Sequence, residues 1–171
     1  MKLGLITRCK DEYFIEEFVL YYLSQGVDAI YVIDDDSQDK SIYDNILTIE
    51  GVFILFKKNI IKENYAEHLY KAIRLDFEWM IYIDVDEFIR PHVTLDKTIK
   101  QFLIDYSVTF DCVKIPWVMM SSNGIEKSPS SIIETNVYRW NHDLRHENML
   151  SKHEKFRCRF DQIEVKCIFK P

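Results

Sequence analysis

Two apolar runs in this 171-residue chain each end in a burst of carboxylates. Ala29 to Ile33 leads into Asp34, Asp35 and Asp36, and Trp79 to Ile83 leads into Asp84, Asp86 and Glu87. The second cluster is the sharper one. Side chains at i and i+2 of an extended strand end share a face about 6.6 to 6.8 Å apart, so Asp84 and Asp86 are expected to converge while Val85 turns back to apolar packing. Two carboxylates about 6 Å apart repel by about 3 kcal/mol at an effective dielectric of ~20, and a divalent cation reverses that sign. Carboxylate oxygens suit hard ions such as Mg²⁺ or Mn²⁺, and Mg²⁺ takes only one or two protein carboxylates, leaving positions for water and substrate phosphates. A diphosphate is expected to supply the missing ligands.

Such a site requires both acidic clusters on one edge of one sheet, and the hydrophobic pattern provides for that. Leu3 to Thr7 reads as a buried strand. Asp11 is placed to cap a helix running to Gln25, because Phe14, Phe18, Tyr21 and Tyr22 recur at helical spacing and Gly26 follows as a stop signal. That aromatic stripe is read as core packing. Val27–Ile33 is a second strand, Ser37–Leu47 a short helix or turn, Val52–Phe56 a third strand, 62–75 a helix, and Trp79–Ile83 a fourth strand. Strands alternating with helices predict a parallel sheet, and open α/β sheets bind ligands at the carboxyl ends of their strands. Beyond residue 90, Leu95–Tyr106 keeps helical periodicity. Cys112–Met119, Ser131–Tyr138 and Ile163–Phe169 read as strands between polar loops, and 142–160 is too polar to assign.

Composition sets the outer limits. Hydrophobic residues make up 47% of the chain and aromatic ones 14%, enough for one domain with a substantial core. A net charge of −6 gives no footprint for nucleic-acid backbones, so a small molecule bridged by a cation is the expected partner. Cys9, Cys112, Cys158 and Cys167 show no C-x-x-C spacing, and reduced thiols in a cytosolic compartment are the simplest account. No run approaches the ~18 apolar residues of a membrane span, and the apolar stretch after Met1 and Lys2 is too short for a signal peptide.

Three segments in order carry a resemblance: Leu5-Ile6-Thr7-Arg8-Cys9-Lys10-Asp11-Glu12, Val32-Ile33-Asp34-Asp35-Asp36-Ser37-Gln38-Asp39-Lys40-Ser41 and Tyr82-Ile83-Asp84-Val85-Asp86-Glu87-Phe88. They resemble the successive signatures of GT-A glycosyltransferases, most of all the family-2-like branch whose metal motif is followed by Glu-Phe. In overall texture, including the run Val165 to Pro171, the chain is also similar to transferase domains with which large DNA viruses glycosylate their capsid proteins. The resemblance implies a three-layer α/β/α sandwich in a single domain, with residues 1–90 as the nucleotide half and 91–171 as the acceptor half. It implies a nucleotide-sugar donor, UDP-sugar foremost, and a glycan or glycoprotein acceptor. By position, Thr7 matches the residue near the uracil, with Arg8 beside it on the donor side. Asp34 and Asp35 match the pair contacting base and ribose, Asp35 being the preferred base contact, and Asp84 and Asp86 match the metal pair, the first also touching ribose. Ser121-Ser122-Asn123-Gly124 resembles a loop approaching the donor sugar. Where the family carries Gly this chain has Asp36, which leaves the local turn open.

The chemistry of glycosyl transfer fits these residues. Negative charge builds on the departing diphosphate, where a cation acts as a Lewis acid. An inverting enzyme also needs a base near the acceptor hydroxyl, for which Glu134, Asp143 and Glu147 are candidates, and Glu87 is another carboxylate in reach of the metal motif. Competing explanations stand beside each signal. Asp34 to Ser37 could be a solvated turn. His142 and His146, at i and i+4, read as a polar loop rather than metal ligands. Lys57, Lys58, His68 and Lys71 read as surface charges that could meet phosphate. Other function classes with related patterns are a nucleotidyltransferase, which lacks its Gly-rich amino-terminal loop here, and a haloacid-dehalogenase-like phosphatase, whose Asp-x-Asp belongs on the first strand. A degenerate domain that binds nucleotide without turnover is the non-enzymatic reading.

Overall fold

The computed structural model of the chain describes residues 1–91, 96–118, 120–121, 124–127, 129–139 and 165–171. Its centre is β1 (Leu3–Cys9), buried at every position except Arg8. A strand covered on both faces reads as a continuous apolar run, and Leu3 to Ile6 is one. Parallel to it lie β2 (Ala29–Asp35), β3 (Val52–Lys57) and β4 (Trp79–Tyr82). Leu5 stands level with Ile30 on one side and with Ile81 on the other. With β5 (Cys112–Pro116) and the last strand, β8 (Val165–Phe169), the sheet has six strands in the order β3-β2-β1-β4-β8-β5. β8 runs antiparallel to β4, Ile168 opposite Ile81. The fold is therefore α/β with a mostly parallel central sheet, as the alternating pattern predicts.

The helices take sides by topology. The crossover from β1 to β2 through α1 (Ile15–Ser24) moves one way along the sheet. The crossover from β3 back to β4 through α2 (Tyr65–Ile73), which continues as a 3₁₀ turn over Arg74–Asp76, moves the other way. Right-handed crossovers in opposite directions put their helices on opposite faces. Ile6, Ile33 and Met80 of the sheet cluster with Ile60, and Leu69, Tyr70 and Ile73 of α2 pack against them. α3 (Ile99–Tyr106) meets the end of α1, where Lys100 N–H donates to Gln25 O at 3.1 Å. Each fully buried Ile, Leu or Phe of such a core contributes about 1.5–3 kcal/mol, and Leu5, Phe18, Ile30, Ile33 and Ile81 are all 0% exposed.

Two expectations change. Asp11 does not cap α1, which begins four residues later behind Phe14 with no side-chain cap. Instead Asp11 adopts φ +53° and its carboxylate accepts Gln38 N–H at 2.6 Å, so it is committed to the loop after β2. Ser131 to Tyr138 is not one strand. Ser131-Ile132-Ile133-Glu134 has the S-x-x-E spacing of a helix start, and Ser131 Oγ accepts Glu134 N–H at 3.1 Å to open α4 (Ile132–Thr135). That local capping outweighs the β-branched pair.

By contacts the chain forms two compact units, Met1–Val113 with Cys167–Pro171, and Lys114–Lys166. Within the described part of the second, β6 (Met120–Ser121) pairs antiparallel with β7 (Tyr138–Arg139), and Lys166 lies over the Trp117 ring. No helix among the described residues is long and apolar enough to cross a membrane.

Candidate functional site

Because β2, β1 and β4 are parallel neighbours, their carboxyl ends share one edge of the first unit. The chain leaves β1 toward β2 and β3 and returns on the far side of β1 as β4, so the strand order switches direction between β1 and β4. Ligand crevices of open α/β sheets form at such a switch. Continuing the pairing of Ile6 with Tyr82 by two residues sets Arg8 level with Asp84. Arg8 is the exposed member of β1, and its guanidinium has no hydrogen-bond or ion-pair partner among the described residues. Thr7, on the other face, is fully buried.

The Asp84 and Asp86 pair sits on a turn rather than on a strand end, since β4 stops at Tyr82. Glu87 N–H donates to Asp84 O at 3.1 Å, and Asp84 N–H donates to Glu87 Oε2 at 3.1 Å, closing the turn from both ends. Val85 is buried, Asp84 half-buried and Asp86 exposed. The expected division, carboxylates outward and valine inward, therefore holds with a different backbone. Beneath the turn, the Tyr22 hydroxyl donates to Glu87 O at 2.9 Å and accepts Ile89 N–H at 3.0 Å, while Tyr21 donates to Ile89 O at 2.7 Å. Burial raises the Tyr22 phenol far above its ordinary pKa, so it keeps its proton. Phe88 meets Phe18 and Tyr21 edge-on. The aromatic stripe of α1 is core packing, as read from the sequence, and its two tyrosine hydroxyls also anchor the acidic turn.

Glu12 joins this cluster. Desolvation, followed by repulsion from Asp86 and Asp11, raises its carboxyl above the ordinary value, and that repulsion puts Glu12 and Asp86 in the same electrostatic neighbourhood. The residue types fit a hard divalent cation, with Asp84 and Asp86 as the pair that would hold it. Among the described residues no three His, Cys, Asp or Glu side chains gather as a complete metal cage. A two-carboxylate set leaves ligand positions for phosphate.

The three aspartates after β2 have separate roles. Asp34 is 0% exposed and accepts from the Lys40 ammonium, from the Tyr43 hydroxyl at 2.6 Å and from Ser37 N–H at 3.3 Å. Burial opposes its charge, but the hydrogen bonds from Lys40, Ser37 and Tyr43 outweigh it and hold the carboxyl below its ordinary pKa. Asp35 is half-buried and accepts Ile60 N–H at 3.4 Å. Asp36 takes φ +60°, which explains the glycine of the resembling family at this position: Asp, like Asn, enters the left-handed region at modest cost. It pairs with Lys58 at 3.0 Å. The loops after β1 and β2 are tied together, because Asp11 N–H donates to Ser37 Oγ at 2.9 Å while the Asp11 carboxylate accepts Gln38 N–H.

On the α2 face a cavity of about 630 Å³ opens at this edge, with Arg8, Asn64, Glu67 and Tyr82 among its polar walls and Ile60 and Phe169 among its apolar ones. Lys57 lies over the Tyr65 ring and Lys71 pairs with Glu67 at 2.5 Å, while His68 is exposed on α2. Glu134 belongs to α4 of the second unit and is exposed. Asn123, Asp143, Glu147, His142 and His146 lie outside the described residues. Sequence reasoning missed Glu12, Tyr22, Tyr43 and Asp11 as parts of the site. The available signal was a tyrosine where phenylalanine would fill the same core, since a buried hydroxyl needs a partner.

No protein-family model matches the sequence, and no curated protein matches it. Solved structures similar in fold include 4-diphosphocytidyl-2C-methyl-D-erythritol synthase, at 10% identity and a TM-score of 0.48, over 99% of this chain and 75% of that one. The same synthase from Anaerococcus prevotii DSM 20548 gives 12% identity and a TM-score of 0.46, over 99% of this chain and 71% of that one. CMP:2-keto-3-deoxy-manno-octonic acid synthetase complexed with CTP gives 13% identity and a TM-score of 0.40, over 99% and 74%.

Proposed function

We propose that the chain is a metal-dependent glycosyltransferase of the GT-A kind, moving a sugar from a nucleoside-diphosphate sugar, UDP-sugar foremost, to a hydroxyl of a glycan or glycoprotein with inversion. One observation carries the reading: three carboxylate-bearing or cationic strand ends, β1 with Arg8, β2 with Asp35 and β4 leading into Asp84 and Asp86, meet on one edge at the switch point of a parallel sheet. Asp84 and Asp86 would hold Mn²⁺ or Mg²⁺, which supplies Lewis-acid stabilisation of the departing diphosphate. Asp35, with one oxygen on Ile60 N–H, is the base contact, and Asp34 keeps the turn beneath it rigid. Arg8 faces the crevice with no competing partner among the described residues and balances the remaining phosphate charge. Tyr21 and Tyr22 fix the Asp84–Glu87 turn, so the carboxylates need little reorganisation when the ion arrives. The acceptor base comes from Glu134, Asp143 or Glu147 in the second half of the chain.

Titration calorimetry with UDP, GDP and CTP, each with and without Mn²⁺, tests the reading. UDP binding that requires the metal is expected, along with release of UDP from a UDP-sugar when acceptor glycans are supplied. Metal-independent nucleotide binding, or pyrophosphate release from CTP, overturns it.

A further inference from the structure

Among the described residues β3 ends the sheet, and up to the lysine that closes it, Lys57, its edge lacks the features that usually keep an edge strand solitary. Val52 to Phe56 carries no charge and no proline, and edges without either template pairing with another strand. Phe53 and Phe56 are 46% and 49% exposed. Alternate residues of a parallel strand turn their N–H and C=O to the neighbour. Ile30 N–H donates to Gly51 O at 2.8 Å with Ile30 level with Val52, so the odd-numbered residues of β3 bond to β2. Ile54 and Phe56 therefore turn both backbone groups outward.

We propose that this edge is a homodimer interface, in which β3 pairs antiparallel with β3 of a second copy about a two-fold axis at Ile54. A two-fold perpendicular to the sheet keeps each face on its own side, so opposing residues must share parity. The register centred on Ile54 sets Ile54 against Ile54, Val52 against Phe56 and Phe53 against Leu55; in both copies it satisfies the outward groups of Ile54 and gives Phe56 N–H the Val52 carbonyl of the other copy, while Val52 N–H stays on Ile49 O at 3.2 Å. Charge selects the partner. The exposed Glu50 precedes the strand and Lys57 and Lys58 close it. Antiparallel pairing brings the Glu50 turn of each copy beside Lys57 and Lys58 of the other, whereas parallel pairing would stack like charges. Lys58, 73% exposed in its bridge to Asp36, gives up little to take a second carboxylate.

Sedimentation equilibrium of the full chain over a concentration series tests this. A dimer of twice the chain mass is expected, weakening with added salt. Reversing one charge with Glu50→Lys or Lys58→Glu should raise the dimer dissociation constant by about tenfold or more, since like charges then face across the interface twice per dimer. The double swap Glu50→Lys/Lys58→Glu should restore the wild-type value. Ile54→Lys places two ammonium groups on the axis and should give monomer. Both charge positions are exposed, so circular dichroism of the charge variants should match wild type. A wild-type monomer at every concentration, a dimer indifferent to Glu50→Lys, or no rescue in the double swap overturns the proposal.

Discussion

Asp34→Asn replaces a fully buried carboxylate that accepts from Lys40, Tyr43 and Ser37 with a neutral amide of the same shape. Hydrogen bonds to a charged group contribute about 1.5–3 kcal/mol each against about 1 for neutral ones. The amide keeps one acceptor oxygen and presents an NH₂ group to donors. The Lys40 side chain is 44% exposed and rehydrates when its partner loses charge, so its share is discounted for solvent screening. The net cost is about 2–4 kcal/mol, which for a chain of this size lowers Tm by about 5–15 °C. The pH dependence follows from the direction of the Asp34 shift. Its folded pKa lies below the ordinary carboxylate value, so its stabilisation is present above about pH 4 and is lost as pH falls through the lower folded value. Calorimetric scans at pH 7 and at pH 3 should therefore show a Tm gap between wild type and variant that is wide at the first and narrowed at the second. A variant with the wild-type Tm at pH 7, or a gap that widens in acid, refutes the reasoning.

Other perturbations probe the rest of the edge. Tyr22→Phe leaves Glu87 O and Ile89 N–H without their buried partner; denaturant melts should show a loss of about 2–4 kcal/mol, and Mn²⁺-dependent UDP affinity should fall with it. Gly51→Ala meets Asp28 O at 2.6 Å and carries φ +81°, so it should destabilise by more than the ~1 kcal/mol of a strain-free change, read as Tm. Asp86→Ala relieves the repulsion on Glu12, so its melting temperature should equal or exceed that of wild type while metal-dependent donor binding disappears.

The parallel core was legible because β1, β2 and β4 are buried on both faces and so read as unbroken apolar runs. The boundaries of β1 to β4 moved by two residues at most, β2 reaching Asp35 rather than Ile33. Two features were hidden, one by distant partners and one by competing local signals. Asp11 has the residue type of a helix cap, but Ser37 and Gln38, more than 25 positions away, claim it. Ile132 and Ile133 favour a strand by side chain, but Ser131 and Glu134 decide the backbone through a cap. At the candidate site, the burial of Val85 between the more exposed Asp84 and Asp86 was readable from i, i+2 spacing. The turn that carries them was not, because it is closed by Glu87 and held from below by Tyr21 and Tyr22 across 65 or more residues. The separate fates of Asp34 and Asp35 follow from strand alternation, with one turned into the Tyr43 network and the other toward Ile60.

The central claim is that the carboxyl edge between β1 and β4 gathers a divalent cation and a diphosphate. Anomalous diffraction at the manganese edge, from crystals grown with Mn²⁺ and UDP, addresses it directly. The account predicts a peak about 2 Å from carboxylate oxygens of Asp84 and Asp86, continuous with the diphosphate and facing Arg8. An ion elsewhere on the protein, or a nucleotide bound with its phosphates away from that edge, would contradict it.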